Sequence, residues 1–400
     1  MSITRRAFIR TSLGVAGAAL ASCSRPALSD LNGRAPVVIT TPTLTIWTTS
    51  YATDDAVARW RGAHPRIPVT RKVIAATQLD QWIATSIRGE RSPPDMVITD
   101  STTIASWNVQ RFWRQLQIPQ ATDAQHVQIG RQQTTDAMQS RFAIALAVNP
   151  LGVWYARDSL RSVVPQPDPL QVTAAFGATL QSFVAFLTTV APSLPNGPLL
   201  SSILDDLLLP ELERRCMGGD AMDSAWEQSM MDVALTAQNQ RWAAPERHFS
   251  GAWYQRITHE HTAMMLAGRW MQAALMRAVN ESPSTWRLCA PAGGFIAGPS
   301  LVAAVPEASS QPESAIALLT DLANDADLQH LLCIASGTVP SLRAAHAIAP
   351  FVGSDPFCGG QQIGTTWCEA AESLVAVPQT ADRITRRLEL QERLINTFTR

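Results

Sequence analysis

The chain has 400 residues, of which 46% are hydrophobic and 16% charged; this composition excludes an intrinsically disordered protein and gives enough length for two globular domains. The formal net charge of −1 argues against nucleic-acid binding, because proteins of that class usually carry a strongly basic surface. After residue 22 no apolar run approaches the ~20 residues of a membrane-spanning helix, which excludes a polytopic membrane protein.

Residues 1–22 predict an export signal and not an element of the fold. Residues 4–10, Thr-Arg-Arg-Ala-Phe-Ile-Arg, match the twin-arginine pattern, and the weakly apolar stretch that follows fits that export route. Residues 20–23, Leu-Ala-Ser-Cys, resemble a bacterial lipobox, so Cys23 is the predicted lipidation site; a chance cysteine behind an ordinary signal is the alternative. We expect residues 23–42 to form a tether between a lipid anchor and the folded chain.

Strands alternate with helices in the first part of the predicted fold. Residues 44–47 predict a strand, Asp54 begins a helix, and residues 67–74 predict a second strand. A helix with apolar residues on one face over residues 79–87 leads to a third strand at residues 95–99. This alternation predicts a parallel α/β sheet, in which ligands bind at the carboxyl ends of the strands.

Four polar residues follow these strand ends and are candidate ligand contacts: Ser50, Tyr51, Asp100 and Ser101. The Asp100 carboxylate suits the acceptance of hydrogen bonds from hydroxyl groups. A capping role at the start of the next helix is the alternative for Asp100.

Further along the chain, residues 142–148 and 153–156 predict two strands with Asn-Pro-Leu-Gly between them, which indicates a hairpin or a crossing between domains. Residues 176–280 are predicted to be mostly helical. Strand-like runs at residues 287–290 and 300–305 then predict that the chain returns to its first domain.

Five cysteines follow the signal region, and their odd number leaves at least one thiol free. Cys358 and Cys368 are spaced for a loop disulfide, with unpaired buried thiols as the alternative. No cysteine or histidine spacing indicates a metal site, and no motif indicates a cofactor. Residues 259–261, His-Glu-His, lack the spacing of a helical zinc site, and nucleophile-elbow, dinucleotide and phosphate-loop motifs are absent from the sequence.

Short motifs occur in a characteristic order over residues 43–345, behind the lipobox. They are Leu-Thr-Ile-Trp at 44–47, Pro-Pro-Asp-Met-Val at 93–97, Val-Trp-Tyr-Ala-Arg-Asp at 153–158, Ala-Met-Met-Leu-Ala-Gly-Arg-Trp at 263–270, Ala-Pro-Ala-Gly-Gly at 290–294 and Ser-Gly-Thr-Val-Pro at 336–340. Together they resemble the extracellular solute-binding proteins of ABC importers, most closely the sugar-binding branch that includes maltose-binding protein.

This resemblance implies a two-lobed α/β fold of the periplasmic-binding-protein type, in which a hinge closes the lobes on a ligand. Lobe 1 would comprise residues 43–147 plus 288–337, and lobe 2 residues 150–286 plus 339–400. The chain would cross between the lobes near residues 149–150, at Arg287 and near residues 337–340.

Aromatic side chains are the next candidates, because flat rings stack on sugars and the chain has twelve tryptophans against three tyrosines. The resemblance points first to Trp270 and Tyr155, and Trp253 and Trp367 are further candidates. Gly294 is included because glycine lets a ligand approach the backbone. Core packing is the alternative for the four aromatic residues, and a simple turn is the alternative for the glycine.

The resemblance implies an exported, lipid-anchored monomer that delivers a sugar or related polyol to an ABC permease, without a cofactor. A binder of another small solute, such as a polyamine or a glycerophosphodiester, is the alternative within the same fold. An exported enzyme is the competing class, because a twin-arginine signal often accompanies redox cofactors.

Overall fold

A computed structural model of the chain shows the predicted alternation of strands and helices. It describes residues 42–108, 111–136, 140–194, 198–259, 262–272, 275, 286–346, 363–374, 377 and 380–398. The predicted signal peptide, Cys23 and the tether up to residue 41 lie outside the described residues, and so does Cys358. Within the described chain Cys216, Cys289 and Cys333 are buried and Cys368 is partly exposed.

The strands are β1 (Leu44–Thr48), β2 (Val69–Val73), β3 (Met96–Asp100), β4 (Ile144–Ala156), β5 (Met264–Ala267), β6 (Trp286–Cys289), β7 (Ile296–Ala304) and β8 (Val339–Pro340). The helices are α1 (Asp54–Ala63), α2 (Ala76–Ile87), α3 (Ser101–Asn108), α4 (Gln120–Asp123), α5 (Gln128–Gln133), α6 (Arg157–Leu160), α7 (Pro169–Phe176), α8 (Leu180–Val190), α9 (Leu209–Gly218), α10 (Ser224–Asn239), α11 (Gly251–Thr258), α12 (Pro312–Asn324), α13 (Ala326–Ser336), α14 (Arg343–His346), α15 (Ile363–Ser373) and α16 (Ala381–Phe398). A π-helical turn, Leu204–Leu208, leads directly into α9.

The described strands form one mixed sheet in the order β2-β1-β3-β7-β4-β5, and β6 and β8 also pair with β4. β1 pairs in parallel with β2 and β3, which confirms the alternating strand–helix prediction for this region. β7 is antiparallel to both β3 and β4. The late strand β7 therefore inserts between strands from the first half of the chain.

β4 is a single strand of 13 residues, so the two predicted strands are continuous and the hairpin alternative is wrong. Its residues as far as Leu151 pair with β7, whereas Gly152 to Tyr155 pair with β5. The Asn-Pro-Leu-Gly stretch resembles a turn locally, but Pro150 is paired with Ala297 next to two irregularities of register, where a strand tolerates proline. The continuous strand carries the chain from one half of the sheet into the other.

The chain returns to the first part of the sheet between β6 and β7. β6 pairs with the second part of β4, where Arg287 is opposite Tyr155, and β7 begins with Ile296 opposite Leu151. β8 pairs with Val148 and Ala147 in the first part of β4. The strands β4, β7 and β8 therefore lie together where the halves meet, and the exact limits of the lobes remain a prediction.

Separate apolar clusters cover the two parts of the sheet. The first part contains β1, β2, β3 and the beginning of β4, and the second part contains the end of β4 with β5 and β6. Leu44, Ile46 and Met96 pack with α12 and α13 on the first part, and Val153 and Tyr155 pack with α7 to α10 on the second. Nine of the twelve tryptophans are buried, so their abundance is mainly explained by core packing. Trp82, Trp107 and Trp270 are the partly exposed ones.

The C-terminal helix α16 contacts both parts. Ile384 packs in the same cluster as Trp47 and Val97 of the first part. Leu390 and Phe398 pack in the cluster of the second part.

Among the described helices none alone is long and apolar enough to cross a bilayer; α7 and the segment 180–193 reach that composition only together, and they are bent by 104°.

Gly298 provides a test of the β4–β7 contact. A Cβ at this position would lie 2.7 Å from the Asn149 carbonyl oxygen and 3.0 Å from a Leu151 methyl carbon. We expect Gly298→Ala to lower the free energy of unfolding by about 1–3 kcal/mol, because backbone atoms cannot move aside cheaply. Urea unfolding monitored by tryptophan fluorescence measures the change.

Gly62→Ala is the matched control, because Gly62 lies inside α1 and no atom of the described residues lies within 4 Å of an added Cβ. We expect it to stabilise the protein by about 0.5–1 kcal/mol, since alanine favours a helix interior more than glycine does. Equal stabilities of the two variants would contradict the close packing of β4 against β7.

Candidate functional site

A cleft of about 370 Å³ lies beside the segment where β4 passes from one part of the sheet to the other. It is lined by Asn149 and Leu151 of β4, Pro299 of β7, Leu266 and Ala267 of β5, Trp270, Asp205, Leu209, Pro210, Glu213, the loop residues Arg247, His248 and Phe249, and Arg387 and Gln391 of α16. The cleft combines aromatic, charged and amide side chains, a composition typical of sites that orient small ligands.

Glycines pack closely around the Asn149–Trp270 corner of this cleft. A Cβ on Gly268 would lie 2.1 Å from Asn149 Oδ1 and 2.8 Å from Trp270 Nε1. Gly337, with φ of 64°, lies against the Trp270 backbone, where an added Cβ would come within 2.7 Å of Cα. Both residues therefore lie in close contact with glycine backbone, and Asn149 Oδ1 is buried without a hydrogen-bond partner among the described residues.

Two aromatic rings line the cleft. The rings of Trp270 and Phe249 have centroids 5.4 Å apart and planes inclined by 47°. Phe249 is 48% exposed and has a φ of 64°, a conformation that is uncommon for a bulky residue. An exposed aromatic side chain on a strained backbone points to a functional role, because such strain is retained mainly at functional sites.

Arg387 and Glu213 form a buried ion pair at the same cleft. Arg387 donates through Nη2 to Glu213 Oε1, and the two residues lie on α16 and α9. Burial lowers the pKa of Arg387 to about 10, while the charge of Asp100 acts in the opposite direction. Arg387 Nε and Nη1 and Glu213 Oε2 are buried without partners among the described residues, so this pair retains both donor and acceptor capacity.

Asp206 organises the wall behind the cleft. It is fully buried and accepts hydrogen bonds from Ser201 Oγ at 2.7 Å, and from the Ser202 and Leu266 backbone N–H groups and His248 Nε2, each at 2.8 Å. It thereby connects β5, the segment before the π-helical turn and the loop that carries His248. The neighbouring carboxylate, Asp205, accepts from Arg247 Nε at 2.9 Å and from the His248 backbone N–H at 2.7 Å.

The pKa values of this wall follow from its contacts. Burial alone would lower the pKa of His248, but the attraction and hydrogen bond of Asp206 raise it above the ordinary value. Burial would raise the pKa of Asp205, but the bonds from Arg247 and His248 lower it. Asp205 and His248 are therefore favoured in their charged forms.

Ser201, His248 and Asp206 do not have the geometry of a hydrolytic triad. His248 Nε2 contacts both Asp206 Oδ1, at 2.8 Å, and Ser201 Oγ, at 3.1 Å. In a hydrolytic triad one ring nitrogen of the histidine contacts the serine hydroxyl and the other contacts the carboxylate. Ser201 is also fully buried and accepts from Trp253 Nε1, so its hydroxyl is not open to a substrate.

Trp270 is the predicted site residue that lines this cleft. Ser101 is buried near it: its Oγ accepts from the Ser300 N–H at 3.1 Å, and it shares a small cavity with Arg387. Asp100 accepts from Thr103 N–H at 2.9 Å and from Thr103 Oγ1 at 2.7 Å, so it caps α3.

The other predicted site residues lie elsewhere. Ser50 caps a short 3₁₀ helix by accepting from the Ala52 N–H at 3.1 Å, and the neighbouring Tyr51 is 73% exposed. Gly294, with φ of 98°, closes a turn on Pro291. None of these side chains lines the cleft around Trp270, and a ligand role for them remains a prediction.

Three of the predicted aromatic residues are fully buried. Tyr155 donates from its hydroxyl to the Pro167 carbonyl at 2.9 Å, and burial raises its pKa. Trp253 packs behind Phe249, with ring centroids 5.3 Å apart. Trp367 packs against Trp154 in the core of the second part. These residues support the fold around the cleft in this structure, and direct ligand contact by them remains a prediction.

The sequence analysis did not identify Asn149, Phe249, Glu213 or Arg387. One signal was available for Arg387, because it lies on α16 at the spacing of the apolar residues Ile384, Leu390 and Leu394, where a charged residue is unusual. Among the described residues, no group of three or more His, Cys, Asp or Glu side chains could hold a metal ion.

Comparison with known proteins relates this architecture to solved structures. No family model and no curated protein matches the sequence. An extracellular solute-binding protein of family 1 superposes with a TM-score of 0.73 at 15% identity, covering 88% of this chain and 100% of that chain.

Two further matches come from sugar-binding proteins. The galacto-N-biose/lacto-N-biose I-binding protein of the Bifidobacterium longum ABC transporter gives a TM-score of 0.69 at 13% identity, covering 90% and 92% of the two chains. The sugar-binding protein MalE of Xanthomonas citri gives 0.64 at 15% identity, with 89% and 93% covered. The chain therefore has the two-lobed α/β fold of extracellular solute-binding proteins, which confirms the predicted fold class and resemblance.

The raised pKa of His248 generates a prediction for stability against pH. The folded state holds the His248 proton more tightly than the unfolded chain, so the contribution of the charged pair is fully present below the unfolded pKa of about 6.5. It is lost as the pH rises through the folded pKa. We therefore expect the difference in unfolding free energy between wild type and His248→Gln to shrink steadily above about pH 6.5.

Urea unfolding at several pH values from about 6 to 9 measures this difference. His259→Gln makes the same substitution at an exposed position and controls for the loss of a histidine. A difference that grows with pH would show that His248 is neutral in the folded protein.

Proposed function

We propose that this protein is the solute-binding component of an ABC importer and that it captures a sugar or related polyol in the cleft around Trp270. One observation carries the proposal. The cleft combines aromatic faces with buried hydrogen-bond donors and acceptors that have no partner in the described chain. Closure of the two lobes on the ligand would present the closed form to a permease.

The free polar atoms match the chemistry of a hydroxyl group. Arg387 Nε and Nη1 can donate, whereas Glu213 Oε2 and Asn149 Oδ1 can accept. A sugar hydroxyl both accepts and donates, so adjacent hydroxyls can satisfy both groups at once. An unsatisfied buried group costs about 1–3 kcal/mol, and a ligand that provides the missing partners recovers that energy.

The charge balance of the walls favours an uncharged ligand. Asp205 pairs with Arg247 and Glu213 pairs with Arg387, so each carboxylate already has a cationic neighbour. A polyamine would need unpaired carboxylates, and a glycerophosphodiester would need an unpaired cation. The rings of Trp270 and Phe249 suit the C–H face of a sugar ring.

Solved neighbours support the carbohydrate class. The Bifidobacterium longum protein is described in complex with lacto-N-biose, and the GacH receptor of Streptomyces glaucescens, with a TM-score of 0.66 at 15% identity and 89% and 93% coverage, in complex with acarbose. They bind their ligands with the same fold, at identities too low to transfer individual residues.

The proposed cellular setting rests on the sequence. The twin-arginine pattern and the lipobox favour export followed by lipidation of Cys23, with residues 23–42 as the tether. In this proposal the protein acts as a monomer on the outer side of a membrane, without a cofactor. The predicted lobes are residues 43–147 plus 288–337 and residues 150–286 plus 339–400.

Trp270 is the residue for the functional test. A thermal-shift screen over mono- and oligosaccharides, polyols, amines and glycerophosphodiesters first identifies a ligand, because binding to the folded state alone raises the melting temperature. We expect Trp270→Ala to keep its melting temperature within a few degrees and to weaken binding of that ligand about 30-fold, the effect of ~2 kcal/mol.

Trp107→Ala is the matched control, because Trp107 is also partly exposed but lies on α3 with its Nε1 bonded to Asp80. We expect it to bind the ligand as wild type does. A Trp270→Ala protein that is strongly destabilised, yet binds normally at low temperature, would assign Trp270 to the core. Stabilisation by amines alone would replace the carbohydrate proposal with a polyamine one.

The lipid anchor has its own test. Wild-type protein expressed in a bacterial host is expected to partition into the detergent phase of a Triton X-114 extract, because acyl chains add about 0.8 kcal/mol of membrane affinity per buried methylene. Cys23→Ala is expected to appear in the aqueous phase or to remain unprocessed. Cys368→Ala, a partly exposed cysteine of the folded chain, is the control and is expected to partition as wild type does. Equal partitioning of wild type and Cys23→Ala would contradict the lipoprotein assignment.

A further inference from the structure

A second cavity, of about 150 Å³, lies away from the cleft in the first part of the molecule. Its lining includes Ile118, Asp123, His126, Arg131, Arg141 and Ile144. The lining residues belong to α4, α5, the start of β4, α12 and the segments that connect them. The two cavities have no lining residue in common, so they are separate sites.

The size and apolar lining of this second cavity determine which apolar group fits inside it. Ile118, Ala143 and Ile144 provide apolar walls, and Ala143 is fully buried. A cavity of about 150 Å³ with apolar walls is known to hold a benzene molecule. The space therefore fits one small ring or a short branched chain, and is too small for a disaccharide.

The polar lining of the second cavity carries one excess positive charge. Arg131 and Arg141 both pair with Asp123, so two guanidinium groups share one carboxylate. His126 adds no charge near neutral pH, because burial lowers its pKa despite the bond to Asn324. Its ring nitrogens are occupied by Ser341 Oγ, at 3.1 Å, and by Asn324 Oδ1, at 3.3 Å.

The excess charge belongs to Arg131 more than to Arg141. Arg141 donates to Asp123, to the Arg131 carbonyl and to Thr134 Oγ1, so its guanidinium is used by the fold. Arg131 contacts Asp123 at 3.4 Å, a longer distance, and its Nε is buried without a partner in the described chain. The guanidinium is partly exposed, but its buried Nε is a charged donor without a partner in the described chain, which favours an anionic ligand.

We propose that this second cavity binds a small monocarboxylate whose apolar part has about the size of a benzene ring. The carboxylate would accept from Arg131, and the ring would lie against Ile118, Ala143 and Ile144. A single negative charge balances the walls, whereas a neutral ring leaves the excess positive charge unpaired and an amine adds a second one. This site is independent of the sugar cleft and does not rest on the proposed function.

Isothermal titration with benzoate and with benzamide tests the proposal, because the two probes have the same ring and differ in charge. We expect benzoate to bind wild type with one site per chain and benzamide to bind at least about tenfold more weakly, since the neutral amide lacks the attraction between opposite charges that strengthens a carboxylate–guanidinium hydrogen bond. Arg131→Gln is expected to weaken benzoate binding by at least about tenfold. If Arg131→Gln fails to fold, Arg131→Lys, which keeps the charge and lacks the Nε donor, is expected to weaken binding in the same direction.

Arg114→Gln is the matched control. The Arg114 and Arg131 side chains are both 32% exposed and each pairs with a carboxylate, but Arg114 lies outside the cavity. It is expected to bind benzoate as wild type does. Equal binding of benzoate and benzamide, or wild-type affinity in folded Arg131→Gln and Arg131→Lys, would overturn the proposal.

The Trp270→Ala variant separates the two sites. It is expected to keep full benzoate affinity, because Trp270 does not line the second cavity. Loss of benzoate binding in Trp270→Ala would place the carboxylate in the cleft and overturn the second site. A failed sugar screen alongside normal benzoate binding would count against the proposed function only.

Discussion

Strands β4 and β7 pair antiparallel from Ile144 to Leu151, and this pairing is the contact around which the molecule is arranged. β4 then continues to Ala156 and pairs with β5 and β6, so one unbroken strand belongs to both parts of the sheet. The same contact places Asn149 and Pro299 at the cleft. A covalent strand with sheet hydrogen bonds on both sides limits the ways in which the two parts can move relative to each other.

Buried polar groups divide into two kinds in this structure. Asp206 accepts four hydrogen bonds and ties together the elements behind the cleft, so its burial is compensated. Arg387 and Glu213 lie at the cleft itself and satisfy each other only in part. The satisfied groups explain how the wall holds its shape, and the unsatisfied ones are the basis of the proposed ligand site.

Local patterns were enough to predict the first strands and helices, because β1, β2 and β3 each carry an apolar or β-branched run bounded by turn residues. They did not show that β4 is continuous, because pairing with β7 and β5 overrides the turn preference of the Asn-Pro-Leu-Gly stretch. The neighbour of β3 could not be predicted either, since β7 is distant in sequence and no local pattern specifies its partner.

The site was predictable to a smaller extent. Trp270 could be identified because it belongs to a motif that extends over several residues. Tyr155, Trp253 and Trp367 are of the same residue types but are buried, and composition alone does not distinguish a ring in the core from a ring in a cleft. Arg387 and Glu213 meet only because α16 packs against α9, which is a tertiary contact.

The position of β7 also governs the order in which the molecule can be assembled. β3 is complete once Asp100 has been synthesised, but its partner edge remains open until the ribosome has reached Ala304. During that time the nascent chain presents an apolar strand edge, which is prone to pair with other chains. Contacts between such distant segments also slow folding. The first part of the sheet is therefore completed late in synthesis, after the chain has been made as far as Ala304.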